Sequence, residues 1–229
     1  MTISPDQIIL WQWGPVHVNA TLAYTWCIML VVTVGCWLVT RRLSTGPEIS
    51  RWQNLLEVLV TGLRDQIRDV SRHEPGQYLP FVGTLFVFIA TSNLLTILPW
   101  YLPPTGSLST TTALALCVLI AVPLYGIVQR GPVGYLGHYV QPTPLMLPFN
   151  LIGELSRTVA LAVRLYGNIM SGTVIVGILI SLTPFLFPIV MQLLGLLTGM
   201  IQAYIFAVLA MVYIASASSA QRSGDQAHG

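Results

Sequence analysis

Lysine is absent from this 229-residue chain, and charge of either sign is scarce: ten arginines and eight acidic residues make up only 8% of it. A water-soluble domain carries about 25% charged residues, so an ordinary soluble surface is excluded. The net charge is +2, and the basic residues are scattered, which excludes nucleic acid as a partner. The cysteines, Cys27, Cys36 and Cys117, sit singly in apolar runs without CxxC or metal-ligand spacing. They read as small buried residues, and no metal or cofactor is expected. No P-loop is present, so the chain itself is not expected to handle ATP. The first residues lack a basic stretch and a small-residue cleavage site, so a removable signal peptide is not expected either.

What fills the space is apolar: 54% of the residues are hydrophobic. Residues 21–40 (TLAYTWCIMLVVTVGCWLVT) are uncharged and stop at Arg41-Arg42. Residues 79–98 form a second run closed by Pro99, and 111–129 a third ending at Arg130. Two longer segments, 145–183 and 185–217, are separated at PFLFP. A helix of about 20 apolar residues crosses a bilayer. The fold class is therefore an all-α polytopic membrane protein with about five crossing helices. Residues 49–72 differ. Ile49, Trp52, Leu55, Leu56, Leu59, Leu63, Ile67 and Val70 recur at helical spacing, opposite Arg51, Glu57, Arg64, Asp65, Arg68, Asp69 and Arg72. This is one amphipathic helix, lying at the interface or docking on a partner helix. The loop 99–110 holds turn formers, and the Gly/Pro-rich stretch up to residue 144 reads as a connector. Trp11, Trp13 and His17 give residues 1–20 a mixed character suited to a membrane surface.

Arginine placement orients the chain. Arg41, Arg42, Arg51, Arg64, Arg68 and Arg72 cluster in 41–72, with Arg130 and Arg222 later, and loop 99–110 has none. The positive-inside rule puts the basic segments in the cytoplasm and the N-terminus, 99–110 and the turn near 184–188 outside. That arrangement needs five crossings, the number the hydropathy supplies. The segments are then 1–20, non-cytoplasmic; 21–40, first membrane helix; 41–78, cytoplasmic; 79–217, membrane region; and 218–229, cytoplasmic tail. The last two helices exceed a simple crossing: about 38 residues extend about 57 Å, against a hydrocarbon core of about 30 Å. They must tilt, bend or run partly along the membrane plane.

Within RTVALAVRLYGNIMSG, Arg164 is the last charge before Arg222. A charge at the bilayer centre costs about 2.5–3.5 kcal/mol on insertion scales. It snorkels to a headgroup, pairs with an acid such as Glu154, or faces a watery path or a moving partner. Glu154, Arg157, Leu161, Arg164, Asn168, Ser171 and Ile175 share one helical face. On the last helix Gln192, Gly195, Gly199, Gln202 and Tyr213 align likewise. The two stripes fit a shared aqueous groove or, equally, ordinary interhelical hydrogen bonding.

RLYGN followed by IQAYIFAVLAMVYIASAS resembles subunit a of the rotary F-type ATP synthase, whose hallmark is R-L-[FY]-G-N on one helix and Q-A-[FY]-[IV]-F on the next. PTPLMLPFNLIGELSR, YLPFVGTLFVFIATSNLLTILP and LSTTTALAL are similar to that family in the same order, so the resemblance covers about residues 15–217. It implies a non-catalytic ion-translocating stator, with ATP chemistry in other subunits. It also implies a long tilted hairpin of the last two helices against a c-subunit ring, b-type peripheral-stalk subunits near 21–72, and H+ or Na+ as the ion. The implied home is a bacterial plasma (inner) membrane, with the N-terminus outside and the C-terminus cytoplasmic. By the same resemblance Arg164 separates two half-channels, Asn168 orients water or Arg164, and Gln202 faces the arginine. Asn93 lies at the outer half-channel, Glu154 and Ser156 at the cytoplasmic one, and Tyr213 on the last helix.

Two positions depart from the family. Many relatives have an acid nine residues after the arginine, where this chain has Thr173, and His or Glu seven residues before the glutamine, where it has Gly195. Water with Asn93, Thr96, Gln192 and Gln202, an acid from elsewhere, or Na+ transport are the ways to fill that gap. The rival readings are a stand-alone secondary transporter gated at Arg164, for which no internal repeat speaks, and a purely structural subunit.

Overall fold

In a computed structural model of the chain, the described residues are 9–13, 16–41, 51–71, 75–98, 101–140, 146–183 and 187–219. The elements are β1 (Ile9–Trp13), β2 (Val16–Asn19), α1 (Ala20–Thr40), α2 (Arg51–Ser71), α3 (Leu79–Leu94), α4 (Leu108–Val140), α5 (Met146–Leu182) and α6 (Phe187–Ser219). Among the described residues five helices are long and apolar enough to cross a membrane, within α1, α3 with its last turn, α4, α5 and α6. The sixth, α2, is the amphipathic one. The fold class is the expected one. The strands β1 and β2 form a small antiparallel hairpin that sequence periodicity did not announce.

α3 shows how the chain sets its own boundaries. Pro80 sits in the first turn, where a missing N–H costs nothing. The helix tightens into a 3-10 turn at Leu95–Ile97 and ends at Leu98, which is extended, as the residue before Pro99 should be. Val82, Leu85 and Ile89 line its buried face with Tyr78 just ahead of it.

α6 is the hub, packing against α2, α3, α4 and α5. Its buried stripe is mostly small: Ala203, Ala207, Ala210 and Ala217, with Phe206, Met211 and Ile214 between them. In lipid no hydrophobic force drives helices together, so close approach of small residues and dispersion contacts must do it. Ala115, Val118 and Val122 of α4 and Leu161 and Leu165 of α5 complete the core. α2 docks Leu63 and Ile67 into the bundle, and Tyr204 of α6 donates a hydrogen bond to Gln66 Oε1 at 2.7 Å. Its charged residues Arg64, Asp65, Arg68 and Asp69 remain exposed. α1 lies at the edge against α3 and the loop that joins α3 to α4, with Ile28 buried and Tyr24 edge-on to Tyr101 at 5.4 Å.

Three expectations need correction. The third membrane helix starts at Leu108 rather than 111. The stretch after Arg130 is not a plain connector: α4 continues to Val140 through a break at Gly131, with φ 75° and ψ 163°. That conformation belongs essentially to glycine. A Cβ at 131 meets nothing within 4 Å among the described residues, and the backbone strain of Gly131→Ala costs about 1–3 kcal/mol. A lower melting temperature of the detergent-solubilised protein, with normal ion transport below it, is the expected outcome. Nor are all the cysteines buried: Cys27 and Cys117 are exposed and Cys36 half-buried. Their surroundings are apolar side chains on membrane helices, where an outward-facing thiol meets lipid rather than water.

Candidate functional site

α5 carries Glu154, Arg157 and Arg164 and is the least embedded of the five candidate membrane spans. Of its described side chains only Thr158, Leu161, Ala162 and Leu165 are buried, and none beyond Leu165 is. Arg164 directly precedes buried Leu165 yet is itself exposed, as is Val163 before it. Among the described residues no hydrogen bond or ion pair holds it. Asn168 is half-buried, and Ser171 Oγ donates to its carbonyl at 3.1 Å. Ser156 is exposed.

Seven residues nearer the start of α5, Arg157 leaves the helix on the same side as Arg164, because seven residues are close to two full turns. Its guanidinium lies over the ring of Tyr213 on α6, 5.6 Å from the centroid. Half-buried Glu154 lies one turn earlier, and Thr158 Oγ1 donates to its carbonyl at 3.0 Å. Glu154, Arg157, Thr158, Tyr213 and Ser216 line a cavity of about 20 Å³ against α4, enough for a single water. The structure therefore brings Glu154 and Tyr213 together, and adds Arg157, Thr158 and Ser216, which sequence reasoning had not assigned to the site. Ser156 does not join them.

The other end of the helix pair, near the α3–α4 loop, is built differently. Asn93 is 2% exposed and donates from Nδ2 to the carbonyl of Gly199 at 2.7 Å. One turn away Gln192 Nε2 donates to the carbonyl of Thr96 at 2.8 Å, and Thr96 Oγ1 to that of Asn93 at 2.6 Å. Thus Gln192 and Gly199, two members of the α6 stripe, bond to α3 rather than line a groove with α5. A Cβ built at Gly195, between them, meets nothing within 4 Å, and the Thr173 hydroxyl bonds back to the carbonyl of Ile169 at 3.0 Å. Gln202 is 7% exposed, and its Nε2 has no hydrogen-bond partner among the described residues. No hydrogen bond joins it to Arg164 among the described residues.

Behind Asn93 lies a run of hydroxyls. Thr105 Oγ1 donates to Asn93 Oδ1 at 3.5 Å, and Ser92 Oγ lies 3.2 Å from Thr105 Oγ1 and 3.4 Å from the Tyr101 hydroxyl. Thr105 gives its only proton to Asn93, so it accepts from Ser92, which in turn accepts from Tyr101. Burial pushes the Tyr101 phenol up to about 12, outweighing the lowering effect of its contact with Ser92, so it stays a neutral donor.

With this geometry in hand, comparison against protein families matches residues 22–215 to the ATP synthase A chain. The chain belongs to the ATP synthase A chain family. It is 63% identical over 226 residues to ATP synthase subunit a 2 of Acaryochloris marina, covering 99% of this chain and 97% of that one. Subunit a of Albidiferax ferrireducens is 60% identical over 222 residues, 97% of this chain and 96% of the relative. Subunit a 1 of Chlorobaculum parvum is 60% identical over 218 residues, 95% and 96% of the two chains. Members of the ATP synthase A chain family are ion-translocating subunits of the synthase's membrane sector, and membership disfavours a stand-alone transporter. A family identity agrees with five apolar spans.

Proposed function

We propose that this chain is the non-catalytic stator past which a ring of c subunits turns, with Arg164 as the barrier between two half-channels. The observation that carries this reading is the exposed Arg164 side chain, with no partner within the described chain, on the side of α5 from which Arg157 reaches α6. A guanidinium in membrane-spanning surroundings needs a counter-charge, and an acid supplied by another subunit fills that need. Opposite charge within about 4–6 Å lowers a carboxyl pKa by about 1–3 units, which favours release of a proton from an arriving ring acid. Arginine keeps its own proton where lysine can lose it. Its fixed charge also repels cations that leak straight between the half-channels. The contact must be brief, since a permanent tight pair stalls the ring. The drive is about 2.3 kcal/mol per charge per 100 mV.

Gln202 supports the reading through its position. Counting seven residues back along α6 from Tyr213, as α5 advances from Arg157 to Arg164, reaches Phe206, and Gln202 is about one turn further. Its buried, unpartnered Nε2 is suited to hold a water or an acceptor beside the guanidinium. Glu154, Tyr213 and the cavity they line serve the cytoplasmic half-channel, with exposed Ser156 outside that cavity on the same helix and Asn168 one turn from Arg164. Asn93 borders the outer half-channel and mainly fixes its wall. The N-terminus is outside and the C-terminus cytoplasmic, in a bacterial plasma membrane, with b-type stalk subunits against α1 and α2. The segments assigned above, with 79–217 as the translocating region, carry over.

The experiment is ATP-driven transport by the assembled complex in sealed vesicles, with H+ and Na+ varied independently. Uptake that requires the complex and ATP, and follows one of the two ions, is the expected result. Ion or solute flux through the purified chain alone would instead make it a transporter in its own right.

A further inference from the structure

The loop between α3 and α4 does not behave like a loop. Pro103, Pro104, Thr105, Gly106 and Ser107 are all buried, Thr105 and Ser107 completely. Connections between helices normally run over a surface, because buried irregular backbone needs partners for its polar groups. Here the backbone closes on itself: Gly106 N–H donates to the carbonyl of Pro103 at 2.9 Å and Ser107 N–H to that of Pro104 at 3.0 Å. Thr105 then ties the loop sideways to Ser92 and Asn93, and Asn93 to α6 at Gly199.

The same loop touches α5 where that helix has little other support. A Cβ added to Gly106 would stand 3.3 Å from Ile169 Cγ2, tighter than an ordinary contact. Ile169 follows Asn168 and is five residues past Arg164, in the stretch beyond Leu165 where no described side chain of α5 is buried. Nothing within the described chain pins the Arg164 side chain itself, so its place relative to α6 is set by where the backbone of α5 stands.

We propose that Thr105 is a positioning residue for Arg164: by anchoring the buried loop to Asn93 and Ser92, it sets the loop against Ile169 and so holds α5 in register with α6. This rests on the stator reading above. Thr105 meets no ion in this account; it acts through Gly106 and Ile169. A side chain at 106 would press Ile169 back by a few tenths of an ångström, and a hydroxyl at 105 completes the hydrogen-bonded run from Tyr101 to Asn93.

The test uses the whole complex in vesicles and reads two quantities: ATP-driven ion uptake, and passive ion leak through the membrane sector after removal of the ATP-hydrolysing part. Thr105→Val keeps the shape and removes the hydroxyl; Thr105→Ser keeps the hydroxyl. Gly106→Ala leaves the side-chain hydrogen bonds alone and displaces α5 directly. Both Thr105→Val and Gly106→Ala are expected to lower coupled uptake about 3- to 10-fold per assembled complex and to raise the leak, and Thr105→Ser to match the unaltered protein. A merely structural role lowers the amount of complex and leaves uptake and leak per complex unchanged, and that result overturns the proposal. Arg164→Ala is run alongside. If it pumps normally, the stator reading itself fails; if it is inactive while Thr105→Val and Gly106→Ala are normal, only the positioning role falls.

Discussion

Arg164→Ala is expected to abolish ATP-driven ion pumping while leaving the complex assembled in normal amount. The two halves of that outcome have separate physical reasons. Arg164 is exposed and unpartnered within the described chain, so trimming it leaves no buried group orphaned. Substitutions of that kind change stability by less than about 0.5 kcal/mol. The loss of function is large because the guanidinium is assigned the whole electrostatic discrimination between the arriving and departing acid. A 1–3 unit shift in a facing carboxyl is about 1.4–4 kcal/mol, or about 10- to 1,000-fold in the ease of releasing its ion. Loss of the barrier adds leak on top of that. Arg164→Lys separates the roles. It keeps a positive charge but replaces a planar, delocalised cation with a compact one that gives up its proton more readily when desolvated. Its pumping is expected to remain far below normal. The measurement is ion uptake per assembled complex, and normal uptake by Arg164→Ala counts decisively against the stator reading.

Much of this molecule can be read from one sequence because its solvent is lipid. Backbone groups in hydrocarbon must be satisfied within the segment, so an uncharged run such as 21–40 has one fate, and helices observed at 20–40, 79–94, 146–182 and 187–219 match their expected bounds closely. Arg164 was visible for the same reason, since a charge in such a run is costly enough to demand an explanation. The rest depends on contacts distant in sequence. Nothing near Asn93 announces that its amide reaches Gly199, 106 residues on. Thr105 sits among Pro, Gly and Ser that spell an ordinary exposed turn, and only the packing of α3, α5 and α6 around it makes it a buried bridge. On α6 periodicity gives a face, not the neighbour it meets: Gln192 and Gly199 meet α3 and its last turn. Gly131 misled in the opposite sense. Glycine and proline after Arg130 read as the end of a helix, whereas a single residue absorbs the break and the helix resumes.

Gly199→Val is expected to remove most of the assembled protein, the largest folding defect of any substitution considered. A Cβ at 199 would lie 3.1 Å from Asn93 Cγ and Nδ2 and 3.2 Å from its Cβ. Asn93 has nowhere to retreat, because Nδ2 is bonded to the carbonyl of residue 199 at 2.7 Å and Oδ1 accepts from Thr105. α3 and α6 must therefore separate along a seam that includes Ile89, Phe206 and Ala203 in the shared core. Overpacking of this kind costs about 1–3 kcal/mol for a methyl-sized intrusion, and the branched valine lies at or beyond the upper end. The hydrogen bond by itself is worth less: interhelical bonds in membranes average about 0.6 kcal/mol. Asn93→Ala alone should accordingly leave most of the complex in place. The two effects separate in a cycle of Gly199→Ala, Asn93→Ala and the double substitution, read as thermal stability of the complex in detergent. Removing the Asn93 amide relieves part of the collision, so the double variant should be less destabilised than the sum of the singles. Strict additivity, or a Gly199→Val complex as abundant and stable as the unaltered one, would mean that α3 and α6 do not meet at this pair.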